Sequence, residues 1–112
     1  MTLRQKQSLF AKLAAELVLK AYSLGYEVTL SEAYRPPERA RLMADRGKGI
    51  ANSLHISRLA IDLNLFRDGA YLQDTLDHQE LGEWWEAQHE WCCWGGRFGD
   101  GNHYSITHCG RK

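Results

Sequence analysis

The chain has 112 residues, of which 44% are hydrophobic and 25% are charged, and its formal net charge is zero. This length suits one compact domain with one core, so we expect residues 1–112 to form a single domain without a separate binding module. The basic residues are scattered and balanced by acidic ones, which excludes a surface that tracks phosphates, and nucleic acid is not expected as a partner.

The N-terminal segment and the cysteines bear on the compartment. The first apolar pattern is interrupted by three charged residues, Lys12, Glu16 and Lys20. An interrupted pattern of this kind is typical neither of a signal peptide nor of a membrane span. We therefore expect a protein that is made in the cytoplasm without a signal peptide. The odd cysteine count, with Cys92 next to Cys93, lacks the spacing of a disulfide framework or of a zinc-ligand pair, so reduced thiols are expected.

A helix and a strand are the first predicted elements. Apolar residues recur at helical spacing and Gly25 follows them, which predicts a helix over residues 3–24. Residues 26–34 are rich in β-branched and aromatic side chains, and Arg35 precedes Pro36-Pro37, a position that favours extended backbone. The strand is therefore predicted to end at Arg35.

The middle of the chain predicts a second helix and a second strand. Pro36-Pro37 suits the first turn of a helix that Gly47-Lys48-Gly49 would terminate. In residues 59–65, large apolar side chains alternate with smaller or polar ones, which predicts a strand that buries its leucines and turns Asp62 to the opposite face. An acidic side chain that faces away from the core can serve a site.

A third helix is predicted in the second half of the chain. Asp77 followed by Glu80 resembles a capping box at its start. Trp84 and Trp85 lie on this helix, and their spacing from neighbouring apolar residues indicates that at least one belongs to the core. Three histidines lack an acidic partner at a suitable spacing and are interpreted as surface or hydrogen-bonded residues: His78, His89 and His108.

Two histidines and one aspartate are the candidate metal ligands. His55 and Asp62 are joined by a loop that leads into a strand, and His103 would complete the set from a last strand over residues 103–107, which a turn-rich segment precedes. Three protein ligands leave one position on a zinc ion for water, whose pKa falls from about 16 to about 7. The same donors suit iron or manganese, so the metal stays open.

Two further charged residues fit a hydrolytic site. Asp100 precedes His103 across a Gly-Asn turn that could hold its carboxylate beside the water on the metal, as a general base. Arg35 could donate hydrogen bonds to a carbonyl oxygen or a substrate carboxylate. Both residues also have a structural interpretation, because Asp-Gly is an ordinary turn dipeptide and Arg35 could pair with Glu32 or Glu38.

These residues occur in an order that resembles a known family. Ser53-x-His55, Ala60-x-Asp62, Asp100-x-x-His103 and the upstream Tyr34-Arg35-Pro36 look like the motifs of the zinc D,D-peptidases. That family includes D-Ala-D-Ala carboxypeptidases, vancomycin-resistance dipeptidases and phage L-alanyl-D-glutamate endolysins. The resemblance extends over residues 26–104, and an aspartate at position 100 is more like the endolysin branch.

The resemblance implies roles for these residues and a fold. It implies zinc on the three candidate ligands, Asp100 as the base and Arg35 as a stabiliser of the transition state. Ser53 would either bind substrate or fix the loop before His55. The implied fold is α+β, a small antiparallel sheet flanked by about three helices in the manner of hedgehog and D,D-peptidase domains, and we expect a monomer.

The resemblance also implies a function. It predicts a zinc-dependent peptidase that cuts the L-alanyl-D-glutamate amide of the peptidoglycan stem during host-cell lysis by a bacteriophage, after another protein has permeabilised the membrane. One alternative is a D-Ala-D-Ala carboxypeptidase or dipeptidase, and another is a noncatalytic, zinc-containing wall-binding module. Asp100 argues against the module, because a closed structural zinc site needs no additional carboxylate.

Overall fold

A computed structural model describes residues 1–46 and 53–111 of the chain, which form an antiparallel sheet and three α-helices. The helices are α1 (Leu3–Ser23), α2 (Pro37–Asp45) and α3 (Gln79–Gln88), and the strands are β1 (Glu27–Glu32), β2 (Ala60–Arg67), β3 (Ala70–Leu72), β4 (Cys92–Trp94) and β5 (His103–Ile106). Short 3₁₀ turns occupy Thr75–His78 and Gly95–Phe98. The predicted α+β class is confirmed.

The sheet places one residue of β2 between two neighbours that matter for the site. Its strand order is β1-β2-β5-β4, and Asp62 of β2 pairs with Glu32 of β1 on one side and with His103 of β5 on the other. Residues directly opposite each other in an antiparallel ladder point to the same face. The side chains of these three residues therefore share one face of the sheet.

The edge of β2 opposite β1 carries a gap between two partner strands. β5 pairs with residues 60–62 and β3 pairs with residues 65–67, so residues 63–64 lie between the two partner strands. The ladder continues across the gap through one hydrogen bond, in which the Leu63 N–H donates to the Asn102 carbonyl at 3.0 Å. The chain leaves a recess here, beside the residue that follows Asp62.

The core lies on the other face of the sheet. In β2, Ile61, Leu63 and Leu65 are buried whereas Asp62 and Asn64 are only half-buried, which is the alternation that the sequence predicts. Helices α1 and α3 add further apolar side chains, among them Phe10, Leu13, Leu17 and Trp85. Trp85 is fully buried and Trp84 half-buried, so the expected core tryptophan is Trp85.

Helix ends follow local signals with one exception. α1 begins with a capping box between Thr2 and Gln5, and Gly25 follows its end with a φ of +91°, a conformation that glycine adopts readily. The predicted box of Asp77 with Glu80 is wrong, since Asp74 and Asp77 form a box on the preceding 3₁₀ turn and α3 begins only at Gln79. None of the described helices is long and apolar enough to cross a membrane.

Two other boundaries bear on the predictions. β1 ends at Glu32, earlier than predicted, because the backbone beyond it bonds to a loop instead of a strand: the Arg35 N–H donates to the His55 carbonyl at 3.2 Å. α2 carries Pro37 in its first turn, as predicted. The predicted glycine stop at residues 47–49 lies outside the described residues.

Candidate metal centre

The structure brings the three candidate ligands together. One donor atom from each of His55, Asp62 and His103 lies within 4.8 Å of the others. Asp62 Oδ1 is 3.2 Å from His55 Nε2 and 3.3 Å from His103 Nδ1. Two ligands bound at about 2.0–2.1 Å to a tetrahedral zinc ion are about 3.4 Å apart. The spacing of these donors therefore fits a zinc ion.

The carboxylate at the centre has an unsatisfied oxygen. Asp62 Oδ1 is buried, and no group in the described part of the chain donates a well-aligned hydrogen bond to it, although two imidazole nitrogens are close. Burial raises the pKa of Asp62, but the attraction of His103 and His55 outweighs burial and lowers the pKa to about 2. An ionised, buried oxygen without a donor is suited to a cation.

Backbone and side-chain contacts fix the first ligand. His55 is 2% exposed, and its Nδ1 lies 2.9 Å from the Ala33 carbonyl, to which the Nδ1–H donates. This bond leaves Nε2 as the ligand atom, an arrangement that most metal-binding histidines share. The Ser53 hydroxyl accepts a hydrogen bond from the His55 N–H at 3.2 Å, so Ser53 holds the loop before His55, which is one of its two predicted roles.

Asp100 lies beside the ligands without joining them. Its Oδ2 is 4.0 Å from His103 Nδ1, and its side chain is 55% exposed. Partial burial of the side chain raises the pKa of the Asp100 carboxyl. The attraction of His103 opposes this rise and the repulsion of Asp62 adds to it, and the net effect is a raised pKa. A reachable carboxylate with a raised pKa suits a group that accepts and returns a proton.

The turn that contains Asp100 is held by close packing that was not predicted from the sequence. The Asp100 N–H donates to the Gly95 carbonyl at 2.8 Å, and a Cβ on Gly95 would lie 2.2 Å from the Asp100 carbonyl oxygen. Trp94 Nε1 donates to the Gly101 carbonyl at 2.7 Å, while a Cβ on Gly82 would collide with the Trp94 ring. Only the glycines around Trp94 hint at this contact in the sequence.

Arg35 lies at the edge of the candidate site in a buried ion pair. It is 6% exposed, and its Nε donates to Glu32 Oε1 at 2.6 Å, a hydrogen bond that lowers the pKa of Glu32. Of the two acidic partners considered from the sequence, the structure selects Glu32. Because Glu32 stands opposite Asp62, the pair occupies the face that carries the ligands. Glu32 and Glu38 are each three residues from Arg35, so spacing in the sequence does not distinguish these two partners.

The remaining histidines do not join the ligand group. His78 is buried, its Nδ1 lies 2.7 Å from the Tyr104 hydroxyl, and burial lowers its pKa to about 4. This contact is the hydrogen-bonded role expected for His78. Tyr104 follows His103 in β5 and is fully buried, so the pair anchors that strand from the core side.

Comparison with known proteins finds a likeness in fold. No protein-family model matches the chain, and no curated protein matches it in sequence. Among solved structures, the crystal structure of the Serratia marcescens L-Ala D-Glu endopeptidase ChiX matches with a TM-score of 0.70 and 20% sequence identity. The match covers 87% of this chain and 79% of that chain. At this level of identity the likeness establishes a shared fold.

Proposed function

We propose that this chain is a zinc-dependent peptidase that hydrolyses the amide between L-alanine and D-glutamate in the peptide stem of bacterial peptidoglycan. The observation that carries the proposal is the candidate metal centre, in which Asp62 Oδ1 lies 3.2 and 3.3 Å from two imidazole nitrogens with Asp100 alongside. The fold shared with an L-Ala D-Glu endopeptidase supports this choice of substrate.

The residues present fit a zinc ion. His55, Asp62 and His103 would hold it, because two imidazoles and a carboxylate at this spacing are the donor set of many catalytic zinc sites. When bound, zinc supplies Lewis acidity, which polarises the scissile carbonyl and lowers the pKa of a water molecule to about 7. The described residues offer three protein ligands, which would leave one position on the ion for water or substrate.

Asp100 would move the proton. As general base it takes a proton from the attacking water, and as general acid it gives this proton to the amine that leaves. Its exposure lets a substrate nitrogen approach, and its raised pKa makes the carboxylate a stronger base than an ordinary aspartate. The turn that begins at Asp100 and leads into β5 keeps the carboxylate beside His103, since the His103 N–H donates to the Asp100 carbonyl at 3.1 Å.

Arg35 would stabilise the oxygen on which negative charge develops. A guanidinium offers five N–H donors, of which Nε is bound to Glu32 in this chain. Glu32 therefore orients the planar group on the face of the sheet that carries the ligands. Preorganised donors of this kind act at the moment when charge builds up on the carbonyl oxygen.

The test is the chemistry of the ends released from purified peptidoglycan by the zinc-loaded protein, with a chelator and Asp100→Ala as controls. New L-alanine carboxyl ends with matching D-glutamate amino ends, abolished by both controls, are expected. Free D-alanine would move the assignment to a carboxypeptidase or dipeptidase. No release, together with tight zinc binding, would favour a noncatalytic wall-binding module.

We extend the proposal to a role in host-cell lysis by a bacteriophage, with the chain acting as a monomer on the wall after another protein has permeabilised the membrane. The motif resemblance to the endolysin branch supports this role. Expression in a bacterium should cause lysis only when a membrane-permeabilising protein is co-expressed. Lysis without that partner, or no lysis with it, would contradict the extension.

A further inference from the structure

A polar pocket of about 230 Å³ adjoins the candidate metal centre. It occupies the recess on β2 between β3 and β5, next to the residue that follows Asp62. Asp100 lines the pocket, whereas the three candidate ligands do not. The other polar lining residues are Asn64, Tyr71, Gln73, Thr75, His78 and Asn102.

Internal contacts hold the walls of this pocket. Asn64 Nδ2 donates to the Thr29 hydroxyl at 3.1 Å, and the Tyr71 hydroxyl donates to Asn64 Oδ1, also at 3.1 Å. On the opposite wall, Gly101 packs so closely that a Cβ there would lie 2.5 Å from Thr75 Cα. Asn64, Tyr71 and Thr75 are therefore set in place before a ligand arrives, which reduces the entropy lost on binding.

The pocket is neutral apart from one carboxylate. Among the described residues, no lysine or arginine lines it, and the lining residue His78 is uncharged at neutral pH because burial lowers its pKa to about 4. Asp100, whose side chain is 55% exposed, supplies the negative charge of the lining. Asp100 would repel a second carboxylate in this space. An amide, in contrast, can both donate hydrogen bonds to the amide and hydroxyl side chains and accept hydrogen bonds from them.

The role of this pocket is inferred on the basis of the proposed function, in which Asp100 is the general acid. A general acid must lie within hydrogen-bond reach of the leaving nitrogen, so the residue that carries this nitrogen enters the space that Asp100 borders. We propose that the pocket is the subsite for this leaving residue and that it selects an α-carboxamide, as in D-isoglutamine, over the α-carboxylate of D-glutamate. Asn64 and Tyr71 are its specificity-determining residues.

Two stem peptides that differ only in this α-carboxyl group provide the kinetic test. For the wild type, kcat/KM is expected to be roughly tenfold higher for the amidated peptide, which corresponds to about one hydrogen bond. Tyr71→Phe removes the hydroxyl that holds Asn64 and should reduce this preference roughly three- to tenfold. Tyr22→Phe is the matched control, since Tyr22 is 51% exposed and Tyr71 is 50% exposed. Tyr22 does not line the pocket, so this variant should keep the preference.

Equal kcat/KM on the two peptides, or a Tyr71→Phe variant that behaves like Tyr22→Phe, would overturn the subsite and leave the peptidase assignment intact. A second readout does not need hydrolysis: the side-chain amide NMR signal of Asn64, followed while D-isoglutamyl-L-lysine or D-glutamyl-L-lysine is added to the zinc-loaded protein. A larger shift with the amidated fragment supports the subsite even where no stem peptide is cut. No shift at millimolar fragment refutes it.

Discussion

Asp62 of β2 and His103 of β5 stand directly opposite each other in the antiparallel register, with Oδ1 and Nδ1 3.3 Å apart. If either strand shifted by one residue, the ligand side chain on that strand would point to the opposite face of the sheet. Two of the three candidate ligands are thus placed by strand pairing, and the third, His55, by the Ala33 carbonyl. Sites on paired strands are held more rigidly than sites on loops.

His103→Ala should lose zinc while the sheet persists. We expect the zinc affinity to fall by at least about 100-fold, since even the loss of a residue that only supports a ligand costs 10- to 100-fold. Competition with a chromophoric chelator measures the affinity. Zinc should raise the melting temperature of the wild type and of the control His108→Ala, but not that of His103→Ala. An unchanged affinity in His103→Ala would refute the ligand assignment.

Asp100→Asn should lose hydrolysis and keep zinc. The amide is nearly isosteric and preserves the turn, but it accepts no proton at neutral pH, so kcat should fall about 10²- to 10⁴-fold. The zinc affinity should stay within a few-fold of the wild type, because Asp100 lies 4.0 Å from His103 Nδ1 and outside the ligand group. Asp45→Asn, an exposed aspartate at the end of α2, is the control. Wild-type turnover by Asp100→Asn would contradict the mechanism.

Some of the site was predictable from local pattern. The alternation in residues 59–65 places Asp62 on the face opposite the leucines, and the order of the motifs identifies the residues that the structure brings together. The capping box was misplaced because Asp74, Asp77 and Glu80 repeat one spacing, so the sequence offers two equivalent boxes and tertiary packing selects the first.

Other features depend on contacts between distant segments. β3 and β4 have three residues each, too few for a period of two to be recognised. The early end of β1 depends on the loop around His55, which competes for the backbone of Arg35. Likewise, Glu32 enters the site only through its register with Asp62, and strand register is not encoded within β1 alone.

Arg35→Lys should reduce turnover without loss of zinc. Lysine keeps the charge but loses the planar fork that Glu32 orients, so kcat should fall about 10- to 100-fold with a smaller change in KM. Arg39→Lys, on an exposed position of α2, is the matched control. Glu32→Gln should lower kcat in the same direction, and the effects of the two substitutions should not add. Additive effects would show that Glu32 does not act through Arg35.

His78 should make the metal-free protein less stable in acid. Its pKa in the fold is about 4, below the ordinary value of 6.5, so the unfolded chain binds the proton more readily between these two values. The free energy of unfolding should therefore fall as the pH drops from about 6.5 to about 4, by up to roughly 3 kcal/mol from this residue.

Denaturant unfolding in chelator, wild type against His78→Gln, isolates this contribution, because the other titrating groups are common to both proteins. The difference between their unfolding free energies should change over this pH window and be constant above pH 7. A constant difference throughout would mean that His78 is protonated equally in the folded and unfolded states.

Gly82→Ala should disturb the candidate site from a distance. A Cβ at this position would lie 2.2 Å from Trp94 Cδ2, so the indole must move, and its hydrogen bond to the Gly101 carbonyl must lengthen or break. Overpacking of this kind costs about 1–3 kcal/mol, against which alanine contributes about 1 kcal/mol of helix propensity. Because Gly101 follows Asp100, kcat should fall more than the zinc affinity. The control is Glu83→Ala, at the next residue of α3, which is exposed; it should leave kcat and the zinc affinity unchanged. Equal kcat values for the two variants would show that Trp94 does not help to place Asp100.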